Sequence, residues 1–398
     1  MVTETQRVLL EILGAHLFGK PLPDLENVNW TALLKEAEAQ AVFAIVYATV
    51  EKRMPKDLVA RTRETYFSQI AASVRNAHQH ANVHKLLSAH GIPYVVLKGM
   101  ASASYYPKPL LRAMGDVDFL VAKEHLPQAE ALILEEGFQP EEEENHPVHL
   151  AFRKNQEVLE MHWEPNGIPA GEKGEICHGY FSDILETALL YTKQNEQFYI
   201  PDAFHHGLII LLHTAEHMIN TGIGLRHLCD WAVFAAALEE EEFRALFEEK
   251  LRKIGMWRFA QLVTQVSIRY LGCPERAWAQ EDEEPELLAA MISDIFASGN
   301  FGKKDEERIN EAKMFTTSST KTVNHSKTAL FKALTDKVYR DMPVCRKVKI
   351  LLPFGWILVG INHMRLIRQG KRPKLHLSKM LSGAKARSEI YENFQLFR

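Results

Sequence analysis

Apolar positions in the first 90 residues recur at helical spacing, as at Val8, Leu9, Ile12 and Leu13. The alanine-rich stretch Thr31 to Lys52 predicts a second helix opened by Thr31 as N-cap. A third is predicted from Lys56 to His90, with Gly91 just past its end. The pattern then changes. Tyr94-Val95-Val96-Leu97 is a short aromatic and β-branched run, and Val117 to Val121 is another, so both read as buried strands. Residues 124–136 read as a helix ended by Gly137. His149 to Arg153 and Glu157 to Trp163 read as two more strands joined by Lys154-Asn155-Gln156. From 166 to 298 the periodicity is helical again, at Leu208 to Leu212, Trp231 to Leu238 and Phe243 to Ile254. The fold class expected is α+β: a small mixed sheet core over 91–165, a helical region over 1–90, a helical domain over 166–298, and a linker and basic, partly apolar region over 299–398.

Composition narrows this little. The chain has 398 residues, 46% hydrophobic and 25% charged, with a formal net charge of -4, which is ordinary for a globular protein. Its bulk charge therefore favours neither nucleic acid nor membrane. Cys177, Cys229, Cys273 and Cys345 form no CxxC pair and read as thiols rather than a disulfide framework. The N-terminus reads as an amphipathic helix, not a signal peptide, and the longest apolar run, Ile350 to Ile361, is too short to span a bilayer and contains Pro353 and Gly355. The expectation is a cytoplasmic protein with no transmembrane segment. Charge is uneven, however. Glu141 to Glu144 reads as a solvated loop, while Met342 to Ser388 contains no acidic residue. That basic segment around an apolar run reads first as a core-packed helix with a solvated basic tail, with contact to an anionic membrane surface, nucleic acid or acidic parts of the same chain as alternatives.

The chemistry concentrates between Lys98 and His162. Side chains alternate along a strand, so Asp116 and Asp118 share a face. Two carboxylates flanked by apolar residues repel unless a cation lies between them, and Mg²⁺, which takes oxygen ligands, is the natural one. Glu160, on a neighbouring predicted strand, would complete a two-metal arrangement. His162 falls on the Glu160 face, either as a site residue or as a hydrogen-bonded structural histidine. Arg112 suits either a phosphate contact or an ion pair that orients the acids.

The run Leu97-Lys98-Gly99, then Tyr106-Pro107, then Arg112-x-x-x-Asp116-x-Asp118-x-Leu120-Val121, then Glu160-x-His162-Trp163 resembles the uncharacterised bacterial nucleotidyltransferases of the NTP transferase type 5 group, within the polymerase-β-like superfamily. His213-x-x-x-His217 and Leu225-Arg226-His227-Leu228-Cys229-Asp230 also resemble that group, so the likeness covers roughly residues 30 to 235. It implies catalytic, metal-binding roles for Asp116, Asp118 and Glu160. It implies a nucleoside triphosphate held by the backbone at Gly99 and by Lys98 and Arg112, with nucleoside monophosphate passed to an acceptor of unknown identity and pyrophosphate released. Gly99-Met100 stands where the superfamily has Gly-Ser or Gly-Gly, which leaves Ser102 or Ser104 to supply the hydroxyl. A non-catalytic nucleotide-binding or interaction module of the same fold is the alternative. The cleft is expected between the sheet and the helices.

One further motif competes. His213-Thr214-Ala215-Glu216-His217 matches the H-x-x-E-H pattern of certain zinc proteases, with both histidines on one helical face. The match is short and has no third-ligand motif downstream, so histidines that structure a helix and face the cleft with Arg226 and Asp230 are the preferred reading.

Overall fold

The computed structural model describes residues 2–141, 148–193, 196–280, 284–302 and 304, and in the C-terminal part residues 335, 338–339, 342, 344–347, 351–368 and 393–397. Four helices come first: α1 (Glu4–Phe18), α2 (Trp30–Ala39), α3 (Phe43–Val50) and α4 (Lys56–Ala89). Thr3 and Gln6 close a reciprocal capping box on α1, which satisfies N–H groups that no helical carbonyl can reach. As expected, Val8, Leu9, Ile12 and Leu13 are buried, and α4 ends beside Gly91, whose φ of 66° suits glycine.

The predicted Thr31 to Lys52 helix is two helices. The cap is Asn29, whose side chain accepts from the Ala32 N–H, and the chain breaks at Ala41 with φ 57°. The break has a use. It leaves Gln40 fully buried, where its Oε1 accepts from the Leu225 N–H at 3.0 Å and its backbone carbonyl from the Arg226 N–H at 3.3 Å. A residue of the N-terminal region thus caps a helix that starts 185 positions later.

The sheet strands are β1 (Tyr94–Val96), β2 (Val117–Val121), β3 (Gln139–Pro140), β4 (His149–Lys154) and β5 (Glu157–His162), ordered β1-β2-β5-β4-β3. The short helix α5 (Met100–Ala103) follows β1, and α6 (Leu126–Glu135) follows β2. β2 and β5 run parallel, and the other pairs are antiparallel, so the sheet is mixed as expected. β3 is too short and too polar to announce itself in the sequence. Of the acidic run, only Glu141 lies within the described residues, and it pairs with Arg153.

The 166–298 region is not wholly helical. Between α7 (Glu172–Tyr180) and α8 (Ala203–Asn220) stands a hairpin, β6 (Leu189–Lys193) and β7 (Glu196–Ile200). Its leucine-led strand hides the period-2 signal. β7 packs on α4 and β1, with Phe198 buried. Then come α9 (Leu225–Ala237), α10 (Glu240–Phe243), a π-helical turn at Arg244–Glu248, α11 (Glu249–Lys253), α12 (Trp257–Leu271) and α13 (Pro285–Ser298). One apolar core joins these helices to α1–α3, and a second lies between the sheet, α4 and α6. The two helical regions that flank the sheet in sequence therefore share one interior.

In the C-terminal part, α14 (Val344–Lys347) precedes α15 (Leu352–Arg368). Pro353 and Gly355 do not interrupt α15, since proline is tolerated in a first turn. Phe354, Ile357, Leu358 and Ile361 are exposed along it. No described helix is long and apolar enough to cross a membrane. Most of the predicted linker and of the basic residues lie outside the described residues.

Two neighbours on α8 show how tightly the helical core is fitted. A Cβ on Gly207 would stand 2.5 Å from Phe247 Cζ and 2.6 Å from Phe234 Cε1, both on buried rings. Gly207→Ala gains up to about 1 kcal/mol of helix propensity, but overpacking costs about 1–3 kcal/mol. The expected net result is a lower urea midpoint, and a raised midpoint would refute this packing. His206 stacks on Tyr105 with centroids 5.2 Å apart, and neither ring nitrogen has a hydrogen-bond partner among the described residues. Burial drives its pKa down to about 4. The neutral folded form contributes stability above the unfolded value of about 6.5, and that stability is lost as pH falls toward 4. His206→Phe should remove roughly 2 kcal/mol of the loss between pH 7 and pH 5. Stability curves of parent and variant with the same acid slope would show that His206 is not the group responsible.

Candidate active site

The parallel pairing of β2 and β5 sets Asp118 directly beside Glu160. The Leu97 N–H donates to the Asp118 carbonyl at 3.0 Å, which extends β1 pairing by one residue and delivers Lys98 to the carboxylates. Lys98 Nζ lies 3.1 Å from Asp118 Oδ1. Asp116, one residue ahead of β2, is placed by α4: Asn76 Nδ2 donates to the carbonyls of Gly115 at 2.8 Å and Asp116 at 3.2 Å. Ser73 on the same helix donates to the Arg112 carbonyl. Helix α4 is therefore the brace behind the whole Arg112–Asp116 segment.

Gly99 is required twice over. Its φ of 55° and ψ of -116° suit glycine, and a Cβ would stand 2.8 Å from His80 Nε2. His80 accordingly sits close against the backbone, held through Nδ1 to the Asn76 carbonyl, with burial driving its pKa down to about 4. Of the two candidate hydroxyls, Ser102 is buried and lines the cavity, whereas Ser104 donates to the Ala101 carbonyl of its own helix.

The cavity holds about 340 Å³ and lies between the sheet and the helices α8 and α9. Lys98, Gly99, Ser102, Arg112, Asp116, Asp118 and Glu160 all line it, whereas His162 and Ser104, also singled out from the sequence, do not. A second opening of about 480 Å³, bounded by Arg75, Asn76 and Arg153, shares Asp116 and Glu160 with the first. Those two acids form the partition between the cavities.

The electrostatics are strained in an informative way. Burial raises Asp118, but Lys98 and His162 outweigh it and hold the carboxyl well below its usual range. Glu160 is pushed up to about 7, by burial first and then by the Asp118 and Asp116 charges, although a hydrogen bond from His162 pulls the other way. Lys98 is lowered by burial and raised more by Asp118, Asp116 and Glu160, so it stays charged. Asp118 is held charged and its neighbour Glu160 is driven the other way, as two close carboxylates sharing one lysine must be.

Arg112 is expected either at the triphosphate or as the ion-pair partner of Asp116 or Asp118. Its guanidinium instead makes two 2.7 Å hydrogen bonds to Asp230 of α9, and the Tyr106 hydroxyl donates to the same carboxylate at 2.7 Å. The side chain is 5% exposed. Sequence spacing could not show this, because the partner lies 118 residues away. The arginine with charge to spare is Arg226, also on α9. Its Nε has no hydrogen-bond partner among the described residues, its Nη1 donates only to the Ala113 carbonyl at 3.3 Å, and burial lowers its pKa. Its guanidinium carbon lies 5.1 Å from the Phe301 ring centroid.

His213, His217 and His227 form the far wall, with His213 and His217 ring centroids 4.2 Å apart as same-face helical neighbours. Burial pushes all three below the ordinary imidazole range, His217 to about 3. Among the described residues, no third histidine, cysteine or carboxylate completes a metal-binding trio with His213 and His217. The trio that does exist is His149, Glu160 and His162, and His149 was not anticipated.

A small mixed sheet with a carboxylate pair on one strand, a third acid on its parallel neighbour and a cation-lined cavity above them has the character of a nucleotidyltransferase. Residues 26–272 match the family model described as uncharacterised nucleotidyltransferase, well over half of the chain, and the protein belongs to that family. No curated protein and no solved structure matches it.

The Arg112–Asp230 pair should be structurally indispensable. Arg112→Met strands a buried carboxylate beside Tyr106 and should cost about 3–5 kcal/mol. Adding Asp230→Leu should recover part of the loss. Urea unfolding of the two single variants and the double checks this, and strictly additive losses would mean the pair is not coupled.

Proposed function

We propose that the protein transfers a nucleoside monophosphate from a nucleoside triphosphate to an acceptor hydroxyl or similar group, releasing pyrophosphate. The observation that carries this reading is the convergence of Asp116, Asp118 and Glu160 with two cations, Lys98 and Arg226, on one cavity. In this reading Asp116, Asp118 and Glu160 hold Mg²⁺, and the donor set fits: it is all oxygen, with Asp118 buried, Glu160 partly buried and Asp116 open to solvent on the cavity wall. Bound Mg²⁺ supplies charge neutralisation at the phosphates and at the attacking and leaving oxygens.

The chain's own residues do the rest. Lys98 exchanges its contact with Asp118 for the triphosphate once another cation serves the acids. Gly99, whose missing side chain lets His80 pack against the backbone, lines the cavity where phosphate oxygens would meet the main chain. Arg226 takes the terminal phosphates, because among the described residues its guanidinium has no carboxylate partner. Arg112 holds the cavity wall and adds positive field without leaving Asp230. The acceptor oxygen forms its bond to the α-phosphorus as the bond to the β-phosphate oxygen breaks, and the acceptor proton leaves to solvent.

The test is thermal shift with Mg²⁺ and a nucleoside triphosphate, followed by pyrophosphate release across an acceptor panel. Asp118→Asn should abolish the nucleotide-induced shift while remaining folded. Arg226→Gln should weaken triphosphate binding by about 1–3 kcal/mol, the size of a charge-assisted hydrogen bond. A nucleotide shift in Asp118→Asn equal to that of the parent would remove the basis of the assignment. Binding without pyrophosphate release would favour a non-catalytic module of the same fold.

A further inference from the structure

The β4–β5 side of the cavity carries nitrogen donors that an all-oxygen magnesium site does not use. The antiparallel register sets His149 directly across from His162, with ring centroids 4.8 Å apart. Glu160 lies two residues before His162 on the same face of β5. One ligand atom from each of His149, Glu160 and His162 lies within 4.8 Å of the other two. His162 Nε2 is 3.4 Å from Glu160 Oε2 and 3.2 Å from Asp118 Oδ1, and His149 Nδ1 is 3.9 Å from Glu160 Oε2.

Those spacings have a metrical meaning. Four donors at about 2.0–2.1 Å around a tetrahedral cation are separated from one another by about 3.4 Å. Three of the separations here, 3.2, 3.4 and 3.9 Å, are already near that value, and the His149, Glu160 and His162 atoms all lie within 4.8 Å of one another. Their chemistry is also selective. Magnesium prefers oxygen and keeps its waters, whereas imidazole suits zinc, cobalt and their neighbours. Both histidines are buried, so little rearrangement of solvent or side chain is needed.

We propose that His149, Glu160 and His162, with Asp118 as fourth donor, form a binding site for a first-row transition-metal dication of the zinc and cobalt type. Ligation takes both imidazoles in their neutral form. The site adjoins the position assigned above to magnesium and shares Asp118 and Glu160 with it. The inference rests on the nucleotidyltransferase reading only through those two shared acids, since the histidine arm stands without any nucleotide. A cation held there is resident in the protein, while magnesium enters with the triphosphate.

The experiment is titration of the full chain with Co²⁺ and, separately, with Mg²⁺, without nucleotide. Calorimetry gives stoichiometry, and visible absorption reports the low-symmetry coordination of cobalt. One Co²⁺ should bind about 100-fold or more tightly than Mg²⁺, as mixed nitrogen and oxygen donors dictate. His149→Gln should lower cobalt affinity about tenfold to 100-fold and dim the visible bands. Asp116→Asn should keep the cobalt site and lose the magnesium–nucleotide shift, which separates the two assignments. Cobalt bound no more tightly than magnesium by the parent would overturn the inference, a reading that needs no variant. So would a folded His149→Gln that binds cobalt as the parent does. Tight cobalt binding in a parent that shows no nucleotide shift would support the metal site and count against nucleotidyl transfer.

Discussion

The cavity exists because one buried ion pair holds its two sides at a fixed distance. Arg112 belongs to the segment that leads into β2, Asp230 to α9, and their two 2.7 Å contacts bind sheet and helices together. A buried pair of this kind gains little over an apolar contact of equal volume, but it is intolerant of misplacement, since either partner alone would be a stranded charge. It therefore specifies a geometry more than it adds stability. Tyr106 completes the coordination of Asp230, and α4 grips the same segment from behind through Ser73 and Asn76. Lys98, Asp116 and Asp118 on one side and Arg226, His213 and His227 on the other face each other because these few contacts leave no alternative spacing.

Within that frame, charge is deliberately left unbalanced. Lys98 serves three acids, Glu160 is driven towards neutrality, and Arg226 has no carboxylate partner among the described residues. A site made only to be stable would pair these groups. Acids and arginine stand on opposite sides of the same cavity, and the proposed metal–nucleotide complex would meet both. The histidines on the far wall stay uncharged through burial, so they can hydrogen-bond a ligand without adding to the imbalance.

Local signals were legible where local physics decides. The strands β1, β2, β4 and β5 and the end of α4 at Gly91 follow from periodicity and turn chemistry. Contacts that depend on distant partners were not legible. Arg112 reads equally well as a phosphate ligand until Asp230 is placed beside it. His149 is the instructive case. A three-residue turn at 154–156 slips the hairpin by one, whereas the actual pairing of Lys154 with Glu157 puts His149 opposite His162. One residue of register separates an unremarked strand histidine from a metal-capable trio. The β6–β7 hairpin was hidden by leucines that suit helix as well as strand, and the break at Ala41 by alanines that argue for continuity.

Gln40 gives this architecture a consequence for how the molecule can be divided. The family match runs from residue 26 to 272, which invites treating what lies outside it as an appendage. Yet α1, wholly before that span, buries Leu9, Ile12 and Leu13 against α3 and α12, and α13, wholly after it, supplies the carbonyls of Ile295 and Phe296 that Gln40 meets. A fragment cut to the matched span would expose a greasy seam along α12 and loosen the residue that starts α9. The boundaries of resemblance and of cooperative folding do not coincide here: evolutionary likeness stops inside a continuous hydrophobic interior, and the helix that presents Arg226 is anchored from beyond both of its ends.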